Sequence, residues 1–261
     1  MLKNASDKLQ ALYQKTKEFW LSGALQQRLR GVKTRALWVF VAGGVGFGLT
    51  LYFRTQVIHW LLAPAHGRLS PTGQPIFTGP TEMLTLTISL VGVGGLVFAI
   101  PVLVYHVARF FSPWMNKQQR RFAAIFLPAM GLCFLAGSAF AYFVLLPTGL
   151  GYLLQFGTDV AVPMVRISEY MELALALVFW LGVAFELPLA MFLLAKLRLV
   201  EYQRFKRLRR YADLAAVIFG AIITPGADPF SWSFVAVPII LLYEVGLGLA
   251  WLVRPKLKLV P

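Results

Sequence analysis

Two carboxylic acids stand inside long apolar stretches of this sequence. Glu186 lies within residues 171–195 and Glu244 within residues 230–253. A charged side chain at the centre of a membrane helix costs about 2.5–3.5 kcal/mol, so it usually faces a cavity, an ion path or a partner. The alternative is a structural role, in which the carboxyl pins the packing of helices by hydrogen bonding. Both roles stay open for Glu186, and the structural role is favoured for Glu244.

Other chemistry has few candidates. His59, His66 and His106 are far apart in the sequence, and no HExxH or Cys/His cluster is present, so we expect no metal site. The glycine-rich runs 43–46 and 92–95 lie inside apolar stretches, where close helix packing is the ordinary reason for small residues. No Gly-x-Ser-x-Gly, Walker or kinase motif occurs. We therefore expect a protein that is not an enzyme and uses no cofactor.

The composition indicates an integral membrane protein. The chain has 261 residues, of which 58% are hydrophobic and 14% charged, and its mean hydropathy is +0.69. Soluble domains are roughly 45–50% apolar and about 25% charged. Disordered tails and basic nucleic-acid-binding arms are poor in aliphatic and aromatic residues, so they are excluded as well. Cys133 is the only cysteine, which rules out a disulfide within one chain.

Apolar stretches near the length of about 20 residues that crosses a bilayer recur along the chain. Six transmembrane helices are predicted, at residues 36–53, 83–107, 122–146, 171–195, 212–223 and 230–253. The fifth has only 12 residues. As a helix it reaches about 18 Å, against a hydrocarbon core of about 30 Å. It either thins the bilayer or turns back together with the sixth segment, and a paired crossing agrees better with the charges.

Lys and Arg residues fall almost entirely on one side of these segments. Of the 25, 22 belong to the two termini and to the two loops that the spans place on the same side. The other side holds only Arg54, Arg68 and Arg166. Because cytoplasmic loops carry the excess of basic residues, we predict that both termini are cytoplasmic. The formal net charge of +14 then reflects topology, and no nucleic acid is expected as a partner.

The chain divides into three predicted parts: a cytoplasmic amphipathic segment 1–35, a six-helix membrane domain 36–253 and a short basic cytoplasmic tail 254–261. The first part lacks the apolar core and cleavage site of a secretory signal peptide. Its apolar residues alternate with Lys and Gln at spacings typical of a helix that lies on the bilayer surface. Anionic lipid would attract its lysines.

Prolines and one further acid suggest how the helices are shaped. Four predicted spans each contain one proline, at positions 101, 128, 188 and 238. Each proline removes a backbone hydrogen bond, and bent helices favour a concave wall over a straight bundle, although membrane helices also tolerate proline without a special role. Asp213, at the head of the fifth span, stands close to Arg209 and Arg210 and is expected to pair with them at the membrane interface.

Five local strings occur in order, each at the boundary of a predicted span. They are Ala63-Pro64, Tyr105 to Pro113 running into Arg120-Arg121, Gly137 to Phe143 with Pro147, Phe185-Glu186-Leu187-Pro188, and Thr224 to Ser231. With these strings and a short fifth helix, residues 36–253 resemble a divergent member of the TatC family, the polytopic subunit of the twin-arginine (Sec-independent) protein translocase. The topology derived from apolar stretches and charges agrees with this family independently.

The resemblance implies an all-α integral membrane protein with six tilted transmembrane helices in a concave, glove-like arrangement. TatC-like proteins are receptors and scaffolds that recognise signal peptides with paired arginines at the cytoplasmic face. They assemble with single-span TatA- and TatB-like proteins, as a homo-oligomer in the complex, and move folded proteins across the membrane using the proton-motive force. The implied location is a bacterial or archaeal cytoplasmic membrane, although thylakoid relatives exist.

The resemblance also implies roles for individual residues. Glu186, with Pro188 beside it, matches an acid of the fourth helix that lines the concavity and contacts the partner or the inserted signal, and Glu244 is the second intramembrane candidate. Pro64 and Asp228 match structural positions of the outer loops. The signal-peptide-binding positions are Lys33, Phe110, Gln119, Arg120 and Arg121.

The sequence departs from the family at the acids that would bind arginine. The family has a Glu just before the Arg pair, where this chain has Gln119. It also has a Glu-Leu-Arg string, which falls on residues 31–33, Gly-Val-Lys, or in a shifted alignment on residues 27–30, Gln-Arg-Leu-Arg, and neither alignment supplies an acid. No Asp or Glu occurs between Glu18 and Glu82. An amide oxygen still accepts a hydrogen bond from guanidinium, but a neutral acceptor gives roughly half the strength. Recognition is therefore expected to be weakened, altered, or transferred to a partner or to another acid, with Asp7, Glu18 and Glu201 as the candidates.

Three functions remain open from the sequence. The first is a TatC-like translocase core, and the second is a degenerate paralogue that keeps the scaffold but has lost signal binding. The third is a small proton-coupled transporter that uses Glu186 and Glu244. It is less favoured because transporters of the repeat type carry matching broken helices in their two halves, and this sequence shows no such symmetry.

Overall fold

The structure is a computed structural model that describes residues 23–65, 69, 75–111, 117–155, 164–197, 199–224 and 229–253, without the side chains of residues 23–35, 107–125, 127 and 230. Its α-helices are α1 Gly23–Tyr52, α2 Arg54–Leu62, α3 Glu82–Phe111, α4 Lys117–Phe140, α5 Leu146–Gln155, α6 Ile167–Phe185, α7 Leu187–Lys196, α8 Tyr202–Ile223 and α9 Pro229–Leu252. A 3₁₀ turn, Ala63–Ala65, follows α2, and a π-helical turn, Ala141–Leu145, joins α4 to α5. Within the described ranges there is no strand, only an isolated bridge between Ile76 and Arg166. The prediction of an all-α membrane fold is confirmed.

Four helical stretches in the described part of the chain are long and apolar enough to cross a membrane. They are Glu82–His106, Pro128–Gln155, Ile167–Lys196 and Ser231–Leu252. A fifth is the pair Ala36–Tyr52 and Arg54–Ala65, which meets the same requirement only when the two pieces are taken together and which bends by 76° between them. The bend lies at Phe53, whose φ of −94° and ψ of 15° leave the helical region. The bend was not predicted from the sequence.

The short fifth span predicted at residues 212–223 is the second half of α8. This helix has 22 residues, and its first half carries the basic cluster of residues 204–210. With this cluster, α8 is not among the helices apolar enough to cross a membrane. The count of six spans therefore stays a prediction. α8 packs closely on α9, since a Cβ placed on Gly220 would lie 2.6 Å from the carbonyl oxygen of Trp232.

The glycine-rich runs bring α1 and α3 into contact. A Cβ placed on Gly46 would lie 2.6 Å from Cβ of Phe98, and one placed on Gly95 would lie 3.0 Å from the carbonyl oxygen of Gly43. Gly94 would clash with Thr50 in the same way. Small residues allow two helix backbones to approach closely. The interpretation of the glycine-rich runs as a packing surface is therefore confirmed for these residues, whereas Gly44 and Gly92 have nothing within 4 Å of an added Cβ.

The core of the molecule is centred on α6. Its residues Met171, Ala174 and Leu181 are completely buried, and α6 contacts α3, α4 and α9. Helices α3, α4 and α9 continue through Pro101, Pro128 and Pro238. Pro188, by contrast, is the second residue of α7 and lies just after the end of α6 at Phe185.

One end of the bundle is closed by α2, residues 75–80 and residues 164–170, which together we call the cap face. The hydroxyl of Tyr142 donates to the carbonyl oxygen of Trp60 at 2.6 Å, and the two rings stack with their centroids 4.1 Å apart. The hydroxyl of Tyr170 donates to the carbonyl oxygen of Leu61, also at 2.6 Å. These bonds hold the end of α2 on the bundle. The opposite end, which carries the connections α3–α4 and α7–α8, is called the basic face.

Candidate functional site

Glu186 lies at a break in the fourth apolar stretch. Helix α6 ends at Phe185 and α7 begins at Leu187, so Glu186 belongs to neither. Its backbone N–H donates to the carbonyl oxygen of Val183 at 3.1 Å, which is an i→i−3 bond in place of the α-helical i→i−4 bond. Pro188 cannot continue the ladder, because it has no N–H and its ring crowds the preceding turn. The proline thus explains why the chain breaks at this carboxylic acid.

The side chain of Glu186 borders a groove of about 690 Å³ between α3 and α4. The groove is lined by Val97, Phe98, Ile100, Pro101, Val104, Pro128, Met130, Gly131, Leu132, Phe134 and Leu135. Among the described residues of this lining, Glu186 is the only one with an ionisable side chain. Leu132 and Leu135 are 67% and 61% exposed, so the groove opens to the lipid-facing side of the bundle.

The carboxyl of Glu186 has no hydrogen-bond or ion-pair partner among the described side chains. A polar group in an apolar environment costs free energy unless it is hydrogen-bonded. An apolar helix that carries one donor group would fill this groove and satisfy the carboxyl at the same time. The arrangement can therefore accept a membrane-embedded segment, and the described residues of the lining contain no nucleophile and no set of metal ligands.

Contacts between α4 and α6 fix one wall of the groove. A Cβ on Gly137 of α4 would lie 2.6 Å from the carbonyl oxygen of Leu181, and a Cβ on Gly182 of α6 would lie 2.7 Å from the ring of Phe134. The hydroxyl of Ser138 donates to the carbonyl oxygen of Val178 at 3.1 Å. Glycine on both helices lets them approach closely enough for this interhelical bond, which places Phe134 in the groove lining.

Pro188 is buried on the other side of the break, against α9. A Cβ placed on Gly246 of α9 would lie 3.1 Å from Cα of Pro188 and 2.6 Å from Sδ of Met191. Met191 itself is buried and packs with Leu247 in a second apolar cluster. The structure therefore places Glu186 and Pro188 together, with the acid toward the groove and the proline toward α9.

Glu244, the second intramembrane candidate, is part of an ion pair. Its Oε1 lies 2.5 Å from Nε of Arg209 on α8. Asp213 was expected to pair with Arg209 and Arg210, and this expectation is wrong: among the described side chains Asp213 has no ion pair, and its Oδ1 is buried without a hydrogen bond. The hydroxyl of Tyr243 donates to the carbonyl oxygen of Phe205 at 2.8 Å and joins the same two helices. These contacts give Glu244 a role in α8–α9 packing.

On the cap face, sequence reasoning missed Glu82, the first residue of α3. Its Oε2 accepts hydrogen bonds from the backbone N–H groups of Thr78 at 2.8 Å and Gly79 at 3.4 Å. Its Oε1 accepts from the hydroxyl of Ser168 at 2.6 Å and from the Ser168 N–H at 3.2 Å. One carboxylate thus joins the start of α3 to the start of α6. The signal available in the sequence was an acid in the first turn of a helix after Gly79-Pro80, a typical helix start.

We expect Glu82→Gln to loosen the cap face. The amide keeps one acceptor oxygen, but its NH₂ group then faces N–H or O–H groups whose hydrogen bonds the carboxylate accepts in the wild type. Hydrogen–deuterium exchange should then show the backbone amides of Thr78, Gly79 and Ser168 exchanging roughly several-fold faster, because this local contact opens more often.

The matched control for this change is Glu169→Gln. Glu169 is an exposed acid on the same face, and its only ion-pair partner among the described side chains is Arg166; exposed pairs contribute little to stability. Equal exchange in the two variants would show that Glu82 does not hold the cap.

The remaining residues of the sequence analysis are described only in part. Pro64 lies in the 3₁₀ turn that follows α2 on the cap face. The backbones of Lys33, Phe110, Gln119, Arg120 and Arg121 are helical, and their side chains lie outside the described part of the structure. Asp228 also lies outside it. The roles given to these residues stay predictions.

An all-α fold with several helices long and apolar enough to cross a membrane defines the described part of the chain as a polytopic membrane protein. The family model of the Sec-independent protein translocase protein TatC matches residues 27–238. The chain belongs to the TatC family.

The alignments with individual relatives cover most of each relative and most of this chain. The TatC protein of Koribacter versatilis is 32% identical over 233 residues, which are 88% of this chain and 86% of that protein. The TatC protein of Aquifex aeolicus is 31% identical over 236 residues, 90% of this chain and 97% of that protein. The structure is also similar to a crystal structure of the twin-arginine translocase receptor TatC, with a TM-score of 0.77 and 31% identity over 87% of this chain and 99% of that one.

Proposed function

We propose that this chain is the receptor and scaffold subunit of a twin-arginine translocase, which exports folded proteins using the proton-motive force. The observation that carries the proposal is the similarity in sequence and fold to a twin-arginine translocase receptor over 87% of the chain. The subunit binds signal peptides with paired arginines, assembles with TatA- and TatB-like single-span proteins, and works as a homo-oligomer. It acts in binding and assembly, without catalysis, in the cytoplasmic membrane of a bacterium or archaeon.

The proposed orientation places the basic face in the cytoplasm and the cap face outside. It is supported by the distribution of cations, since 22 of the 25 Lys and Arg residues belong to the termini and loops that the predicted spans place on the cytoplasmic side. Six spans follow if the apolar half of α8 crosses together with α9. Signal peptides then meet the basic face first, at the ends of α1, α3 and α4.

The groove around Glu186 is proposed as the contact for a partner helix or for the inserted signal peptide. An apolar helix covers the lining, and a hydroxyl, amide or basic group on it donates to the Glu186 carboxyl. Interhelical hydrogen bonds of this kind contribute about 0.6–2 kcal/mol in membranes, which suits contacts that form and release.

The experiment that tests the proposed function is complementation of a strain that lacks TatC. The chain is expressed there, with its cognate single-span partners, and export of a folded fluorescent reporter with a twin-arginine signal is measured. We expect export that disappears when both signal arginines are changed to lysine. No export, with the chain present in the membrane at a normal level, would contradict the proposal.

Arginine recognition is proposed to be weaker in this chain than in relatives with a carboxylate before the Arg pair. We expect Gln119→Glu to raise the affinity for a twin-arginine signal peptide by about threefold to tenfold, because a charge-assisted bond replaces a neutral one. The measurement is peptide binding to the purified chain. Gln118→Glu is the matched control, with the same added charge one position away.

The alternative explanation is that recognition has moved to another acid or has been lost. If Glu18→Gln lowers peptide binding while Gln119→Glu leaves it unchanged, recognition has moved to the amino-terminal segment. Absence of measurable binding in every variant, together with failed complementation, favours the degenerate paralogue. That outcome would also remove the receptor role proposed above.

A further inference from the structure

We propose that a cleft on the cap face binds one anionic phospholipid, with the phosphate at Arg54 and an acyl chain along Leu84 and Ile88. The cleft is separate from the groove around Glu186, and no residue lines both. Its chemistry changes from polar at one end to apolar along the other.

The cleft has a volume of about 1060 Å³ and lies between α2, residues 75–80 and the first turns of α3. Its apolar walls come from Ile58, Leu62, Leu69, Pro75, Pro80, Met83, Leu84, Ile88 and Ile167. Its polar residues are Arg54, Thr55, His59 and Thr87. This volume is far larger than a phosphate ion needs, whereas a lipid headgroup with part of a chain fills it.

The polar end has an unused cation. Arg54 is exposed and has no ion-pair or hydrogen-bond partner among the described side chains. The acid closest to it along the chain on this face, Glu82, is already bound to Thr78, Gly79 and Ser168. Arg166, another cation of the cap face, pairs with Glu169.

Further donors stand beside that cation. Arg54 is the first residue of α2, whose N-terminus has no side-chain cap. A helix N-terminus favours an anion through its free N–H groups and its dipole. The hydroxyl of Thr55 and the ring of His59 border the same cleft. An arginine with neighbouring donors binds a phosphate diester through charge-assisted bonds.

The apolar end is continuous with the lipid-facing surface of a spanning helix. Leu84 and Ile88 are 64% and 61% exposed, and they lie one turn apart at the start of α3. α3 belongs to a stretch apolar enough to cross the membrane, and it begins at the cap face. A ligand at Arg54 therefore has hydrocarbon directly beside it. Charge complementarity at one end and a membrane-facing apolar wall at the other select a phospholipid.

The test is native mass spectrometry of the purified full chain with phosphatidylglycerol or phosphatidylethanolamine of identical acyl chains. We expect Arg54→Gln to weaken phosphatidylglycerol binding by roughly fivefold to tenfold, because one charge-assisted contact is lost. Phosphatidylethanolamine carries an ammonium group that offsets the charge of its phosphate, so its binding should be weaker and should change less. Arg166→Gln, which removes a cation of the same face that is already paired, is the matched control and should bind as the wild type does.

A second variant tests the apolar end independently. Ile88→Trp narrows the cleft without altering its charge, so it should weaken the binding of both lipids. The variant should still elute as a single folded species in size-exclusion chromatography. It also keeps the proposal testable if Arg54→Gln does not fold. Since the basic face is also expected to attract anionic lipid, the informative quantity is the difference in lipid binding between variants.

Three results would overturn the proposal. One is wild-type phosphatidylglycerol binding in both Arg54→Gln and Ile88→Trp. Another is an equal loss in Arg166→Gln. The third is displacement of the lipid by soluble glycerol phosphate, which would mean that the cleft recognises a free phosphate and that the acyl chain contributes nothing.

Discussion

Export of a twin-arginine reporter should fall by about threefold to thirtyfold when Glu186 is replaced by alanine. Among the described residues that line the apolar groove, the carboxyl is the only ionisable group, so a donor on an incoming helix would lose its acceptor there. An interhelical hydrogen bond in a membrane contributes about 0.6–2 kcal/mol, which corresponds to that range. The measurement is the exported fraction of a folded reporter in the complemented strain lacking TatC.

Two further variants define what the groove requires. Glu172→Ala is the matched control, since Glu172 is an exposed acid on α6 that does not line the groove. Glu186→Gln keeps an acceptor oxygen and should retain part of the export if hydrogen bonding matters more than charge. Wild-type export in Glu186→Ala, at a normal level in the membrane, would remove the groove from the proposed mechanism.

The second large effect is expected from Gly137→Ala, a change of one methyl group. The new Cβ would lie 2.6 Å from the carbonyl oxygen of Leu181, and a backbone atom in the middle of a packed helix has little freedom to move. Overpacking of this kind costs about 1–3 kcal/mol, and more where backbone must shift. The midpoint of thermal unfolding in detergent should fall by roughly 3–12 °C.

The control for this substitution lies on the same helix. Gly131 has no atom within 4 Å of an added Cβ, so Gly131→Ala should leave the unfolding midpoint unchanged or raise it slightly. If both alanine variants unfold at the wild-type temperature, the close approach of α4 and α6 is not what holds this wall of the groove.

The features that the sequence predicts well are those governed by single helices. Apolar length identified five of the segments that can cross a membrane, because each hydrophobic stretch must satisfy its own backbone within the bilayer. The rarity of acids in such stretches singled out Glu186 before any geometry was known. The order of five short strings predicted the TatC family, and the comparisons confirm it.

The features that the sequence did not predict depend on contacts between segments far apart in the chain. Arg209 stands one turn before Asp213 but pairs with Glu244, 35 residues later, and only the packing of α8 on α9 decides between these acids. The sequence predicts Glu82 as an ordinary first residue of a helix. In the structure its Oε1 also accepts hydrogen bonds from Ser168, 86 residues away. Local spacing carries no information on either pairing.

The bends and the ends of the helices could not be predicted from the sequence either. The 76° turn at Phe53 is marked only by the arginine that follows it, since no proline or glycine stands there. Apolar length predicts a span only over the apolar second half of α8. The backbone continues through the basic cluster as one helix of 22 residues. Conversely, three of the four prolines lie in helices that continue through them.

The orientation of the helices links all parts of the account. A receptor for cytoplasmic signal peptides needs its basic face inside the cell, with the cap face and its cleft outside. Orientation is inferred from the uneven distribution of cations, which is a property of the whole chain rather than of one site.

Cysteine labelling in intact cells measures this orientation most directly. In a Cys133→Ser background, one cysteine is introduced at a time, either Thr78→Cys on the cap face or Lys206→Cys at the start of α8, and a membrane-impermeant maleimide is added. We predict that Thr78→Cys is labelled from outside and that Lys206→Cys is labelled only after the membrane is opened. Labelling of Lys206→Cys in intact cells, with Thr78→Cys protected, would place the basic face outside and contradict the proposed receptor.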